Sequence, residues 1–408
     1  MLVKKSLPNK IVEWIVDNPS RMIVFSFLLV IFIGSVLLTL PFATYAGHHL
    51  SYFEALFTAV SATCVTGLIV ADTATTFTLF GKIVLICLIQ IGGLGLVTIA
   101  SFIFSFTRKK HDIRSRVLQL ETSGSFSYKE APTLLKAIFG ITFAIEFIGG
   151  CLLSIEYIPK FGVVNGLGKA FFQSVSAYCN AGFDLLGNTE AGAFSSLTGF
   201  YNSSLVIIVT AFLILFGGLG FTVWVDLFGL FRKRKMRVHS KIVLEWTVGL
   251  TLVGFIFLLV VESFNAKSMG EFGFKDQLLS AFFQSVSFRT AGFNSIDLAA
   301  MTDSSKTVAI ILMLIGAGSG STGGGIKITT FAILVYAVIS ELKGEDNTIT
   351  HKSIIPASLV RRALALFTIG TVVVAALSIA ISIFEFQAIA DGRFSFIDIV
   401  FEATSAFA

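Results

Sequence analysis

Apolar residues in this chain form long uninterrupted stretches and do not alternate with polar residues. A helix that crosses a membrane needs about 20 mainly apolar residues, and seven stretches reach or approach that length. They cover residues 21–40, 77–106, 134–155, 203–231, 243–261, 306–339 and 363–384. Strands of a membrane barrel would instead alternate over about ten residues. The pattern therefore predicts an all-α integral membrane protein, whose first apolar stretch is also its insertion signal.

Four shorter apolar segments of about a dozen residues lie between the long ones. They cover residues 52–64, 167–179, 276–288 and 394–407. These segments are too short to cross a bilayer and too apolar for free loops. We expect each to be a half-helix that dips into the membrane and returns, which is the arrangement of a pore helix.

The half-helices carry related sequence phrases. SVSAYCNAGF begins at Ser174 and SVSFRTAGF at Ser285, with a looser copy, TAVSATCVTGL, in the first segment and a partial one, FEATSAFA, in the last. The serines at 61, 176, 287 and 405 lie 115, 111 and 118 residues apart. The spacing predicts four parallel repeats around a common axis: 1–110, 111–238 with a preceding cytoplasmic linker, 239–345, and 346–408. By this alignment the fourth key glycine falls beyond Ala408, so we expect the fourth repeat to be incomplete in this chain.

Each of the first three half-helices is followed by a short loop that ends in glycine. Glycine accepts a positive φ, so it lets successive carbonyl groups turn toward a common axis. A ring of carbonyl oxygens can replace the water shell of a monovalent cation, and the C-terminal ends of the half-helices add negative potential. The candidate filter residues are Cys64, Val65, Thr66, Gly67, Cys179, Asn180, Ala181, Gly182, Arg289, Thr290, Ala291 and Gly292.

A glycine-rich stretch interrupts the second long helix of the third repeat. Six of the ten residues in 316–325 are glycine, and such a stretch cannot hold a continuous helix without a large propensity cost. We therefore expect an intramembrane loop that lines a cavity. The related stretches IGGLGL (91–96) and FGGLGF (216–221) are shorter, and for them close helix packing is the favoured interpretation.

Composition and charge restrict the class of protein further. The chain is 55% hydrophobic and 13% charged, with a mean hydropathy of +0.86. Neither the four cysteines, interpreted as small buried residues, nor the five histidines form a metal motif or proton relay. No phosphate-binding GxxxxGK motif occurs, and no catalytic triad or acid pair supports an enzyme. Of the 30 Lys and Arg residues, 21 lie in segments 1–21, 108–136, 232–241 and 341–362, which places these segments and the N-terminus in the cytoplasm.

The pore-loop repeats, the RTAGF phrase and GAGSGSTGGGIK (316–327) resemble the Ktr/Trk/HKT superfamily of potassium transporters, in particular the membrane subunits of bacterial Ktr systems. The resemblance covers essentially the whole chain and implies a pseudo-fourfold pore in the plasma (inner) membrane. It implies potassium as the substrate, because members that pass sodium tend to carry serine at the position of Gly67. It further implies a homodimer and a cytoplasmic, KtrA-like ring that binds the nucleotide, with no organic cofactor in this chain and no nucleic-acid partner.

The same resemblance makes the glycine-rich stretch a gate beneath the filter. The implied gating residues are Gly316, Ala317, Gly318, Ser319, Gly320, Ser321, Thr322, Gly323, Gly324, Gly325 and Lys327. Lys327 either locks the closed loop or anchors its helix by reaching the membrane edge.

Four further charged residues lead to specific expectations. The Arg289 guanidinium is expected to point behind the filter and to bond to a carboxylate, with Asp297 and Glu402 as candidates, or to pore-helix carbonyls. Glu54 and Asp398 share one repeat position and are expected to face the outer vestibule. Glu146 lies inside a long apolar stretch and is expected to pair with a neighbouring helix.

Two other functions fit a protein with glycine-broken membrane helices. A secondary transporter of a small solute is one alternative, although such transporters usually show two inverted repeats, not four parallel ones. A tetrameric potassium channel is the other, but it would carry a TVGYG run, which this sequence lacks.

Overall fold

The computed structural model describes residues 18–95, 131–230, 235–351 and 353–408. The helices of these ranges are α1 (Pro19–Thr39), α2 (Tyr52–Cys64), α3 (Thr73–Thr76), α4 (Leu79–Leu94), α5 (Ala131–Phe161), α6 (Val163–Tyr178), α7 (Ser204–Gly218), α8 (Phe221–Leu230), α9 (Val238–Glu262), α10 (Phe274–Ser287), α11 (Asp303–Leu314), α12 (Ile328–Leu342), α13 (Ala357–Phe384), α14 (Phe386–Ala390) and α15 (Phe396–Phe407). A short hairpin of β1 (Ile349–Thr350) and β2 (Ser353–Ile354) precedes α13.

The helices follow one repeated order of first helix, pore helix and second helix. The first helices are α1, α5, α9 and α13, and in the described ranges these four are long and apolar enough to cross a membrane. The pore helices α2, α6, α10 and α15 coincide with the four half-helices to within four residues. The prediction of an all-helical fold with a short helix in each repeat is therefore confirmed.

The repeats pack against one another in chain order. The second helix of each of the first three repeats lies against the pore helix of the next, in the pairs α4 with α6, α7 with α10, and α11 with α15. Within each repeat the first helix packs along its own pore helix. This arrangement points the C-terminal ends of the pore helices toward a shared centre.

Two of the predicted spans are broken. The 203–231 stretch is not one helix, because α7 and α8 are bent by 98° at Leu219 and Gly220. Gly220 has φ +93°, and the Phe221 N–H bonds to the Gly320 carbonyl of the glycine-rich loop. A contact with another repeat therefore starts α8 in a new direction, which the apolar pattern could not reveal. The 306–339 stretch divides into α11 and α12, as its glycines predicted.

Other sequence expectations fall partly outside the described residues. Helix α4 ends at Leu94, and residues 96–130, with the end of the 77–106 stretch and the basic segment 108–116, are not described. The same holds for residues 1–17 and for part of the basic segment 232–241.

The expectation that all four cysteines are buried is wrong for three of them. Only Cys179 is buried, whereas Cys64, Cys87 and Cys151 are exposed. In a membrane protein, apolar surroundings in sequence do not imply burial, because large apolar side chains also cover the outer surface. Phe147, for example, is 62% exposed on α5.

Glu54 and Asp398 each cap the N-terminus of their own pore helix. Glu54 forms a capping box with Ser51, whose backbone and side-chain hydrogen bonds lower the pKa of the Glu54 carboxyl. Asp398 makes the same box with Ser395 and forms an ion pair with Lys306 at 2.6 Å. Both carboxylates thus satisfy helix N-termini, which is their usual role at these positions, and Asp398 is neutralised by Lys306.

Candidate functional site: three converging glycine loops and the loop beneath them

The three loops that follow α2, α6 and α10 meet at their glycines. Gly67, Gly182 and Gly292 have φ of +82°, +72° and +79°. A methyl group built on Gly182 would lie 3.0 Å from the Gly292 Cα atom and 3.1 Å from the Gly67 Cα atom. It would also lie 3.0 Å from the Ala291 carbonyl oxygen, just as a methyl on Gly67 would lie 2.9 Å from the Ala181 oxygen. The second and third loops thus each bring a carbonyl group to a neighbouring glycine, and no side chain fits between the three glycines.

The loops share a second backbone feature two residues before each glycine. Val65, Asn180 and Thr290 have φ of 60°, 58° and 70°, a left-handed conformation that is costly for residues with a Cβ atom. Left-handed residues therefore recur at the same two positions in all three loops. Strain of this kind persists only where the surrounding structure enforces it, and it is concentrated at functional sites.

The third loop is one residue shorter than the other two, and the structure shows where the difference is absorbed. The Thr66 and Ala181 N–H groups bond back five residues, to the Ser61 and Ser176 carbonyls, whereas the Ala291 N–H bonds back four, to Ser287. The missing residue thus tightens the last turn of α10. The loop from Arg289 to Gly292 keeps the register of the other two.

The serine that recurs in the pore helices bonds to the residue just beyond the loop glycine, a role that sequence analysis did not predict. The Ser176 hydroxyl accepts a hydrogen bond from the Phe183 N–H at 3.1 Å, one residue beyond the glycine. The Ser287 hydroxyl donates to the Phe293 carbonyl at the equivalent position. In both repeats a pore-helix side chain therefore closes the loop behind its glycine.

Glycines of the second helices allow close packing behind the loops. A methyl on Gly217 would lie 1.8 Å from the Tyr178 carbonyl oxygen, and one on Gly92 would lie 2.1 Å from the Thr63 oxygen. These carbonyls belong to the last turns of α6 and α2. The interpretation of the two shorter glycine stretches as packing contacts agrees with this geometry.

The glycine-rich loop 316–325 lies against the start of the converging loops. The Thr322 hydroxyl donates to the Tyr178 carbonyl at 2.8 Å, and the Gly324 N–H donates to the Thr290 hydroxyl at 3.0 Å. A methyl on Gly323 would lie 2.8 Å from the Asn180 side-chain nitrogen. The loop therefore contacts converging loops of two repeats on the side where the pore helices end.

The glycine-rich loop is also bonded to the break between α7 and α8. The Gly318 N–H bonds to the Gly218 carbonyl and the Thr322 N–H to the Gly217 carbonyl. In the middle of α8, Asp226 forms an ion pair at 3.1 Å with Arg237, which lies just before α9. Helix α8 thus joins the glycine-rich loop to the start of the third repeat.

Lys327 bonds to the glycine-rich loop itself. Its ammonium group donates to the Gly323 carbonyl at 2.5 Å and lies 3.5 Å from the Gly324 oxygen. Sequence analysis left two roles open for Lys327, locking the loop and anchoring its helix at the membrane edge. The observed contacts fit the first role.

Arg289 points behind its loop, but neither expected carboxylate is its partner. The guanidinium lies 3.5 Å from the Thr247 carbonyl of α9, and its Nε atom has no hydrogen-bond partner among the described residues. The side chain is 2% exposed. Asp297 instead accepts from the Ala299 N–H, and Glu402 is exposed beside a cavity.

A polar junction lies two residues beyond the glycines of repeats 2 and 3. Asn294 donates its N–H to the Ser196 hydroxyl at 3.2 Å, and Ser196 is also hydrogen-bonded to the Asp184 carboxyl. Burial raises the pKa of Asp184 to about 6, so this carboxyl is mostly ionised at pH 7.5. Sequence analysis named Glu54 and Asp398 as acidic groups of the outer side and did not single out Asp184. The signal for Asp184 was its position just after CNAGF.

A cavity of about 110 Å³ lies beside the glycines of repeats 1 and 3. Helix α15 closes its remaining side, where Glu402, Ser405 and Ala408 line the wall. Within the described ranges, no group of three or more His, Cys, Asp or Glu side chains could hold a metal ion. The Ala181 and Ala291 carbonyls, which lie against the neighbouring glycines, are candidate cation ligands.

Comparison with known proteins identifies the family. A family model described as "TrkH: Cation transport protein" matches residues 5–408. The chain is 36% identical over 399 residues to Ktr system potassium uptake protein B of Bacillus subtilis (strain 168), covering 98% of this chain and 86% of that protein. It is 37% identical to the potassium/sodium uptake protein NtpJ of Enterococcus hirae, covering 90% and 80%.

A solved structure shows the same fold. The crystal structure of the potassium transporter TrkH from Vibrio parahaemolyticus matches with a TM-score of 0.68 and 19% identity, over 93% of this chain and 75% of that one. The repeated helix order, the converging glycine loops and the match over nearly the whole sequence lead to one conclusion. The chain belongs to the TrkH family of cation transport proteins, a transport family and not an enzyme family.

Proposed function

We propose that this protein is the ion-translocating membrane subunit of a bacterial potassium uptake system. The observation that carries the proposal is the convergence of Gly67, Gly182 and Gly292, each with a positive φ and with no room for a side chain. Carbonyl groups arranged around such a centre can replace the hydration shell of potassium. The relative from Bacillus subtilis is named a potassium uptake protein, which agrees with this function.

Sodium is the second candidate, because the relative from Enterococcus hirae is named a potassium/sodium uptake protein. Potassium is favoured by Gly67, because the family resemblance implies that members that pass sodium tend to carry serine at this position. A glycine at this position leaves all three described loops with the same backbone. Membership of a cation transport family argues against the alternative of a carrier for an organic solute.

The glycine-rich loop 316–325 is the gate in this proposal. Its hydrogen bonds to Tyr178 and Thr290, at the start of two converging loops, support this role, and Lys327 adds a positive charge beside its carbonyls. A cation in this position raises the barrier to potassium by Coulomb repulsion. Opening then requires the loop to leave these contacts.

A cytoplasmic ring that binds a nucleotide is the proposed regulator, with the membrane subunit as a homodimer in the plasma membrane and its N-terminus in the cytoplasm. Helix α8 is the element best placed to carry the signal. It begins at a hydrogen bond to Gly320 of the gate, and Asp226 in its middle is ion-paired with Arg237. A ring that displaces the basic segment before α9 would therefore pull on the gate.

Growth at low potassium tests the function directly. Expressed with a cytoplasmic ring protein in a strain that lacks its own potassium uptake systems, the chain should restore growth and rubidium uptake. Sodium in excess should compete weakly. Good membrane expression with no growth, or uptake that sodium blocks at equal concentration, would contradict the proposal.

A further inference from the structure

A buried carboxyl group lies behind the second converging loop, on the opposite side from the proposed ion path. Glu146 is in the middle of α5 and is 4% exposed. Burying a carboxyl group in an apolar span is costly unless it is paired. Burying an apolar side chain at this position would cost less free energy than burying a carboxyl group. The contacts of the Glu146 carboxyl group should therefore explain its presence.

Glu146 contacts three different elements through its side chain and backbone. Its carboxyl group accepts a hydrogen bond from the Gln90 amide of α4 at 3.0 Å. The Cys179 thiol lies 4.0 Å from the same oxygen. Its backbone carbonyl accepts from the Ser174 hydroxyl of α6 at 2.7 Å. One residue therefore joins the second helix of repeat 1, the pore helix of repeat 2 and the first residue of the second loop.

The packing around these contacts leaves little freedom. A methyl group on Gly93, in α4, would lie 2.6 Å from the Cys179 sulfur. One turn before Glu146 along α5, the Thr142 hydroxyl lies 3.2 Å from the Tyr178 hydroxyl. A change at Glu146 would therefore displace Cys179, since α4 blocks movement to the other side.

The third repeat has the same backbone arrangement with different polar groups. The Thr251 carbonyl of α9 accepts from the Ser285 hydroxyl at 2.8 Å, which makes Thr251 the equivalent of Glu146. Three residues before the glycine, repeat 3 has Arg289 where repeat 2 has Cys179. In repeat 2 the ionisable side chain behind the loop is thus Glu146 on the first helix, and in repeat 3 it is Arg289 on the loop itself.

We infer that Glu146, held by Gln90, is a positioning residue that sets the geometry of the second converging loop and thereby the preference for potassium over sodium. The inference rests on the proposed function of the loops as a filter. Glu146 does not contact the ion path itself. It acts through Cys179, whose backbone begins the loop.

The test is the ratio of potassium to sodium concentrations that give half-maximal uptake, measured for the full chain with its ring partner. Glu146→Ala and Gln90→Leu should each lower the preference for potassium by about tenfold, the equivalent of one lost buried hydrogen bond of about 1.4 kcal/mol. The conservative variant Glu146→Gln should keep most of the preference, because its amide oxygen still accepts from Gln90.

Thr251→Val is the matched control. It changes the equivalent position of repeat 3, where the threonine hydroxyl has no hydrogen-bond partner among the described residues and the backbone carbonyl is unaffected. Its preference should equal that of the wild type.

The ratio of half-maximal concentrations does not depend on how much protein reaches the membrane. If Glu146→Ala is not produced in the membrane, Gln90→Leu decides the test. An unchanged ratio in the variants that are produced, or an equal loss in Thr251→Val, would overturn the inference. If the wild type itself takes up no potassium, the proposed function fails instead.

Discussion

Replacement of Gly182 by alanine should abolish potassium uptake. Residue 182 has φ +72°, and the added methyl group would lie 3.0 Å from the Ala291 carbonyl oxygen and 3.1 Å from the Gly67 Cα atom. The substitution therefore strains its own loop and pushes against both neighbours. Strain of this kind costs about 1–3 kcal/mol. If about 3 kcal/mol of this strain energy is lost from ion binding, uptake should fall by about 100-fold.

Rubidium uptake into cells, normalised to the amount of protein in the membrane, measures this effect. Gly168→Ala is the matched control, because Gly168 lies in the pore helix of the same repeat with open space around it. The control should transport like the wild type. Wild-type uptake by Gly182→Ala would show that the close approach of the three glycines is not needed for transport.

Deletion of residues 318–324 should raise ion flux by about tenfold and remove its dependence on the cytoplasmic ring. The factor corresponds to a gate that is closed about 90% of the time. The chain can close again after the deletion, because the ends of the loop are adjacent. A methyl on Gly316 would lie 2.9 Å from the Gly325 Cα atom, and the Ile328 N–H bonds to the Ala317 carbonyl.

A pair of point substitutions gives the same test with less disruption. Thr322→Val removes the hydrogen bond from the loop to Tyr178, whereas Ser319→Ala removes a 2.6 Å contact with Thr329 that does not involve the converging loops. Flux through the full chain in liposomes, with and without the ring, should rise for Thr322→Val and not for Ser319→Ala. Unchanged or lower flux in both the deletion and Thr322→Val would mean that this loop is not the gate.

The sequence was most informative where one physical requirement determines the residue type. Apolar length identified the four first helices, and the short apolar segments located the pore helices to within four residues. The glycines at 67, 182 and 292 marked the convergence point, because only glycine combines positive φ with so close an approach. The break in the 306–339 stretch was predicted from helix propensity alone.

Features that depend on contacts between repeats could not be derived from the sequence. The 98° bend between α7 and α8 follows from a hydrogen bond to Gly320, a hundred residues away. Arg289 was expected to bond to a carboxylate or to a pore-helix carbonyl, yet its acceptor is the Thr247 backbone carbonyl of α9. The capping boxes of Glu54 and Asp398 were not predicted, although the serines three residues earlier already indicated them.

The most direct test of the central claim is to locate the ion. Crystals of the full chain grown in rubidium should give an anomalous scattering peak bounded by the main-chain oxygens of residues 65–67, 180–182 and 290–292. The peak should weaken as potassium replaces rubidium and should persist in excess sodium. No peak at this point under saturating rubidium, or a peak held only by side chains elsewhere, would contradict the account.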